Sequence, residues 1–314
     1  MNLIKVGQDA QGKDINLNYY DYGQGNPIVL IHGWPLSAAS WEYQLAELPL
    51  HDVRVIAYDR RGFGMSSKPW DGYNYDTFAD DLKAVLDALD LQNVTLVGFS
   101  MGGGEVARYM SRHNGARVSK VAFISAVTPF MLKTENNDSG VDKSTFDDMI
   151  ENLGKDRFGF LQDFSKNFYG QGVLSHPVSQ GVLDSFAMLA FPASPRATSQ
   201  CVKAFGETDF RQDMKAIKVP ALFIYGTSDA IVPPATGAEA AAPLVPGSQL
   251  VAYDGEPHGL NITSKDRLNR DLLTFVSGQP VQSYYDQDEM SGNMPRRNQN
   301  NAALSANAPT PATY

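Results

Sequence analysis

Three residues lie in settings suited to nucleophilic chemistry, with one serine as their centre. Ser100 sits in Gly98-Phe99-Ser100-Met101-Gly102, after the β-branched run Val94 to Val97 and just before a helix-forming stretch from Glu105 to His113. Strand, sharp turn and helix in that order raise a serine hydroxyl above the ends of a sheet. Side chains at positions 98 and 102 would collide with the neighbouring strand and helix, which accounts for both glycines. A serine hydroxyl is a weak nucleophile at neutral pH, so it needs a base within hydrogen-bond reach and an acid to fix that base's tautomer.

Five histidines are available. His51 and His113 lie beside or at the ends of helices, His176 falls in a helical insertion, and His32 follows a buried strand and shapes its loop. His258, in Asp254-Gly255-Glu256-Pro257-His258-Gly259, follows the last strand. Loops at the C-terminal ends of parallel strands share one crevice, so His258 can reach Ser100 despite their separation in sequence. The acid should come from the same edge. Asp229 closes the preceding strand and is followed by Ile231-Val232-Pro233, which pins its loop. Asp254 is nearer to His258 but sits at the strand end, and the segment after Ser125 holds no acid. A developing oxyanion needs backbone donors, and these fall to Met101 and to Trp34 or Gly33, because Pro35 has no N–H. The Trp34 and Met101 side chains, with aromatic residues of the insertion, are then expected to line an apolar pocket.

The elements that must hold these residues alternate between strand and helix. Residues 15–22 read as a half-exposed strand near the sheet edge, and 28–31 and 53–58 as buried strands. Between them residues 38–48 read as a helix, and 76–89 form another that leads into the strand before Ser100. Strands follow at 118–125, 221–225 and 249–253, with a closing helix over 264–275. That rhythm predicts a mostly parallel sheet. It breaks from 129 to 213, where helical patterns replace strands, and Phe160, Phe164 and Phe168 fall four apart. These rings serve equally as packing between a cap and the body or as pocket lining. The division is therefore a core of residues 1–128 and 214–278, a helical cap of 129–213, and a tail of 279–314. The tail is rich in Asn, Gln, Ser, Ala and Pro and is expected to be disordered.

Composition removes several function classes. With 26 basic and 35 acidic residues the chain carries a formal charge of −9, which disfavours nucleic acid and anionic membranes. Asp59-Arg60-Arg61-Gly62-Phe63-Gly64 resembles a phosphate cradle only superficially, because no Gly-Lys-Ser/Thr and no third glycine follow at nucleotide-binding spacing. One cysteine, Cys201, supports neither an internal disulfide nor a thiolate metal site, and is expected to be a buried apolar residue. No apolar run is long enough to span a bilayer, and residues 1–11 lack the apolar centre of a signal peptide, so a cytoplasmic protein is expected.

His32-Gly33-Trp34-Pro35-Leu36-Ser37, Asp59 to Gly64, Tyr75 to Leu82, Gly98 to Tyr109 and Pro257-His258-Gly259 closely resemble the cofactor-free bacterial haloperoxidases, also called perhydrolases and arylesterases, of the α/β-hydrolase superfamily. The likeness covers roughly residues 2–277. It implies the α/β-hydrolase fold, a serine esterase acting on short-chain and aryl esters, and a side reaction in which hydrogen peroxide attacks the acyl-enzyme and the released peracid oxidises halide. It implies no haem or metal, and often a trimer or hexamer. By family position Val127, Phe130, Phe160, Phe164 and Ile231 are pocket residues, and Pro35 goes with the members called haloperoxidases. Pro234 stands where family esterases can carry an aromatic residue, which affects pocket size. A hydroxynitrile lyase keeps the same three residues, and a ligand-binding protein on the same fold is the alternative outside enzymes. Dehalogenases and epoxide hydrolases need a carboxylate where this chain has Ser100.

Overall fold

The computed structural model describes residues 2–282, so the expected disorder of the tail falls, from residue 283 on, outside the described residues. Its framework follows from the runs Ile28–Ile31, Val53–Tyr58, Val94–Phe99 and Ala221–Gly226. Nearly every residue in them is buried, as strands covered on both faces require. The strands are β1 (Asn2–Gln8), β2 (Asp14–Gly23), β3 (Asn26–Ile31), β4 (Val53–Tyr58), β5 (Val94–Phe99), β6 (Val118–Ile124), β7 (Ala221–Gly226) and β8 (Gln249–Tyr253). They form one sheet in the order β1-β2-β4-β3-β5-β6-β7-β8. β1 and β2 pair antiparallel with their neighbours, and the other strands are parallel.

Among the described residues ten α-helices accompany the sheet: α1 (Glu42–Glu47), α2 (Tyr75–Ala88), α3 (Met101–Arg112), α4 (Lys143–Phe168), α5 (Gln180–Ala190), α6 (Pro195–Glu207), α7 (Arg211–Lys215), α8 (Ala238–Ala241), α9 (Leu260–Thr263) and α10 (Lys265–Val276). α2 buries Phe78, Leu82, Val85 and Leu86 from one face, and the Asn74 side chain accepts the Thr77 N–H at its start, satisfying one orphan donor of the first turn. α4 to α7 occupy the span between β6 and β7, where no strand of the sheet occurs, and belong to the same compact unit as the sheet. α4 is broken at Asp156, whose backbone leaves the helical region. The Asp156 carboxylate accepts the Gly159 N–H, so the half carrying Phe160, Phe164 and Phe168 starts afresh with its own cap. Among the described residues no helix is long and apolar enough to cross a membrane.

Two elements differ from the sequence reading. β1 was not expected, because in Asn2–Gln8 only Ile4 is buried, and a strand with one anchored side chain has no clear alternation. It takes the sheet edge and leaves β2 second. α3 begins at Met101 rather than Glu105. Three consecutive glycines disfavour a helix locally, yet the helix needs them: a Cβ on Gly102 would stand 2.3 Å from the Ile31 carbonyl oxygen. Burial of the helix against β3 overrides propensity.

Candidate active site

The register sets the C-terminal ends of five strands side by side. Ile31 pairs with Gly98, Phe99 with Ile124 and Gly226 with Tyr253. The loops after β3, β5, β7 and β8 therefore open on one edge, and these loops carry Trp34, Ser100, Asp229 and His258. The turn after β5 is tight: a Cβ on Gly98 would lie 2.6 Å from the Gly102 carbonyl oxygen. Ser100 pays for that closure with φ 53° and ψ −118°, a conformation that costs a non-glycine residue about 1–3 kcal/mol. Its backbone is held on both sides, since Ser100 N–H donates to the Ile124 carbonyl at 2.9 Å and its own carbonyl accepts the Val127 N–H at 3.2 Å.

His258 is brought to the serine by two packed loops. The Ser228 N–H donates to the Glu256 carbonyl, and the Gly259 N–H to the Phe168 carbonyl at the end of α4, at 3.0 and 2.9 Å. The ring lies against Phe99 and edge-on to Phe168, with centroids 5.2 and 4.9 Å away. The Ser100 hydroxyl donates to His258 Nε2 at 2.9 Å, and His258 Nδ1–H donates to Asp229 Oδ2 at 2.7 Å. The second carboxylate oxygen, Oδ1, accepts the N–H groups of Ile231 and Val232 at 2.9 and 2.8 Å. Both oxygens of Asp229 are thereby occupied, and the side chains of Asp229 and His258 are fully buried. Such a relay can take a proton from the hydroxyl while the carboxylate stabilises the imidazolium. Asp254, the acid nearer to His258 in sequence, accepts from Thr227 instead.

Trp34 closes the site from the loop after β3. Among the described residues neither the Trp34 nor the Met101 N–H has a hydrogen-bond partner, so two backbone donors beside the turn are open to an oxygen brought to Ser100. A Cβ on Gly33 would meet Ser100 Cβ at 3.0 Å, so this loop lies directly against the nucleophile turn. Its position is fixed from behind. His32 Nε2 accepts the Arg60 N–H and Nδ1 donates to the Gly33 carbonyl, while the Arg60 guanidinium donates to the His32 carbonyl and to Glu105 of α3 at 3.0 and 2.7 Å. Burial, and then the nearby Arg60 charge, hold His32 well below its ordinary pKa, so it serves this bracket as a neutral ring. The Asp59-to-Gly64 loop is filled from within: Asp59 accepts from Ala38 N–H, Met65 N–H and Asn18.

A cavity of about 210 Å³ opens over Ser100 and His258. Trp34, Val127, Phe160, Phe164 and Ile231 line it, and Phe164 stands edge-on to the Trp34 indole at 5.2 Å. The three phenylalanines spaced four apart in the second half of α4 divide their work. Phe160 and Phe164 face the cavity, whereas Phe168 is buried against Phe99 and His258. Phe130 corrects an expectation, since it lies outside the lining and packs beneath the Arg211 guanidinium, 5.1 Å from its ring centre. Its neighbour Met131 faces the cavity instead. The Met101 side chain is likewise buried away from the cavity. Phe146 and Met149 from the first half of α4, and Phe205 from α6, also face the cavity, with Thr145 and Asn167 as polar exceptions in a mostly apolar wall. Their helical spacing marks a buried face but not which surface that face meets.

The wall predicts a change in acyl selectivity. Phe164→Ala is expected to raise the ratio of kcat/KM for p-nitrophenyl hexanoate over acetate by roughly tenfold, as expected for space worth one or more methylenes. Initial rates on the two esters check it, and an unchanged ratio would place the acyl chain elsewhere.

A family model described as the alpha/beta hydrolase fold matches residues 26–265. A non-heme chloroperoxidase of Kitasatospora aureofaciens is 40% identical over 265 residues, covering 84% of this chain and 96% of that protein. A bifunctional esterase/perhydrolase of Acinetobacter calcoaceticus is 38% identical over 265 residues, 83% and 96% of the two chains. Among solved structures, a bromoperoxidase from Bacillus anthracis aligns with a TM-score of 0.85 at 44% identity, covering 88% of this chain and 99% of that one. With a mostly parallel sheet that sets serine, aspartate and histidine at the ends of β5, β7 and β8 in that order, the chain belongs to the α/β-hydrolase superfamily, in the family of non-heme haloperoxidases and perhydrolases.

Proposed function

We propose that this protein hydrolyses small aryl and alkyl carboxylic esters through an acyl-enzyme on Ser100, and that the same acyl-enzyme is open to hydrogen peroxide. The observation that carries the reading is the continuous relay Ser100–His258–Asp229 beneath an apolar cavity, flanked by two unpartnered backbone N–H groups. His258 takes the hydroxyl proton as Ser100 attacks the carbonyl carbon, and Trp34 and Met101 N–H groups receive the oxyanion. His258 then gives the proton to the departing alcohol. Water or peroxide next attacks the acyl carbon, again losing its proton to His258, and yields the carboxylic acid or the peracid. The names of the relatives, chloroperoxidase and esterase/perhydrolase, support both outcomes. A cytoplasmic location belongs to the same proposal and is open to cell fractionation.

One purified sample tests the reading. Hydrolysis of p-nitrophenyl acetate and peracetate formation from acetate and peroxide are expected to fall together as a fluorophosphonate probe titrates Ser100. Probe bound at Ser100 with both rates intact would refute the acyl-enzyme, and no adduct at all would favour a ligand-binding role.

A further inference from the structure

A peracid made in this cavity is released against two thioethers. Met131 and Met149 line the same wall as Ser100 and His258. Met131 is only 3% exposed and Met149 is partly buried, so bulk oxidant reaches these sulfurs less readily than those of exposed methionines. The chain provides its own references. Met65 and Met188 are 59% and 66% exposed, whereas Met101, Met110 and Met214 are buried and lie outside the cavity wall. The one thiol does not compete: Cys201 is fully buried, and burial pushes its pKa up to about 12, which keeps it as the unreactive thiol form.

We propose that Met131 and Met149 are self-oxidation sites, at which peracid formed on Ser100 is consumed and the apolar wall is converted to a polar one. This rests on the perhydrolysis reading above. Peroxide attacks the acyl carbon, the bond to Ser100 Oγ breaks, and the proton from peroxide passes through His258 to the serine oxygen. The peracid then transfers its terminal oxygen to a thioether sulfur. Its O–O bond breaks, the sulfur loses two electrons and becomes the sulfoxide, and the carboxylic acid departs with its proton. Hydrogen peroxide is the only oxidant required. Proximity favours this over bulk oxidation, because one molecule confined to a cavity of about 210 Å³ has an effective concentration of several molar. A sulfoxide is polar and cannot be wetted freely in that wall. Turnover with peroxide thus progressively lowers affinity for apolar acyl groups, which limits peracid output.

The test uses full-length enzyme with acetate and hydrogen peroxide, peptide mass spectrometry of each methionine, and peracid measured in the same tube. The reference is enzyme blocked at Ser100 with a fluorophosphonate and given peracetate at the measured bulk concentration, repeated with Ser100→Ala. Oxidation of Met131 and Met149 relative to Met65 and Met188 is expected to be roughly tenfold higher in the working enzyme, as local release predicts. A Met131→Leu, Met149→Leu double variant, whose side chains conserve volume, is expected to keep a larger share of its own initial rate during peroxide turnover. Equal ratios with peracid present would overturn the inference and leave perhydrolysis standing. Absence of peracid from the working enzyme would overturn both.

Discussion

Asp229→Asn is expected to lower kcat/KM for p-nitrophenyl acetate by on the order of 10⁴-fold while leaving the fold intact. The size follows from the two jobs of one carboxylate. Oδ2 accepts from His258 Nδ1–H, and Oδ1 accepts two backbone N–H groups. An amide has one acceptor and one donor group. If its NH₂ faces His258, the ring must carry its proton on Nε2, where it blocks acceptance from Ser100. If its oxygen faces His258, the NH₂ confronts the Ile231 and Val232 N–H groups and the loop must move. The first orientation disables the base, the second displaces the loop that holds it, and neither leaves a charge to stabilise an imidazolium. Steady-state rates with a circular dichroism control decide it, and a loss below tenfold in a folded variant would remove Asp229 from the relay.

The second large effect is on stability. Arg60 and Glu105 form an ion pair at 2.7 Å whose side chains are 1% and 0% exposed, and Tyr58 O–H also donates to Glu105. Two ions so deeply buried persist because each satisfies the other. Glu105→Leu strands the Arg60 charge and is expected to cost about 3–5 kcal/mol, whereas pairing it with Arg60→Met is expected to restore more than half of that. The residual loss falls on Tyr58, whose hydroxyl loses its acceptor, and on the His32 carbonyl. Denaturant unfolding of the two single variants and the double variant completes the cycle. Additive losses would mean that the pair contributes nothing as a pair.

Sequence patterns carried the fold wherever a residue's role is local or periodic. The steric need for Gly98 and Gly102, the buried runs of β3 to β7 and the strand-end positions of Asp229 and His258 depend on neighbours a few residues away, or on a rule common to all parallel sheets. What stayed hidden depends on contacts across long separations. Nothing near Arg60 announces Glu105, and the kink at Asp156 decides which face of α4 meets the serine. Phe130 was placed in the pocket by family position alone, and its partner, the Arg211 guanidinium, lies 81 residues away in a helix whose docking no local pattern announces. β1 offered one buried side chain, too little for a period of two.

The placement of α4 to α7 between adjacent strands also orders the assembly of the protein. Phe123 of β6 pairs with Phe223 of β7, so the whole insertion must be looped out before this half of the sheet can close. Contacts of such range form late. A chain growing from its N-terminus has Ser100 and the Trp34 loop in hand before residues 221–258 have been made. Until then the hydroxyl has no base, and the nascent chain carries an inert serine. Reactivity arrives only when β7 and β8 dock, which makes completion of the sheet the event that switches the nucleophile on.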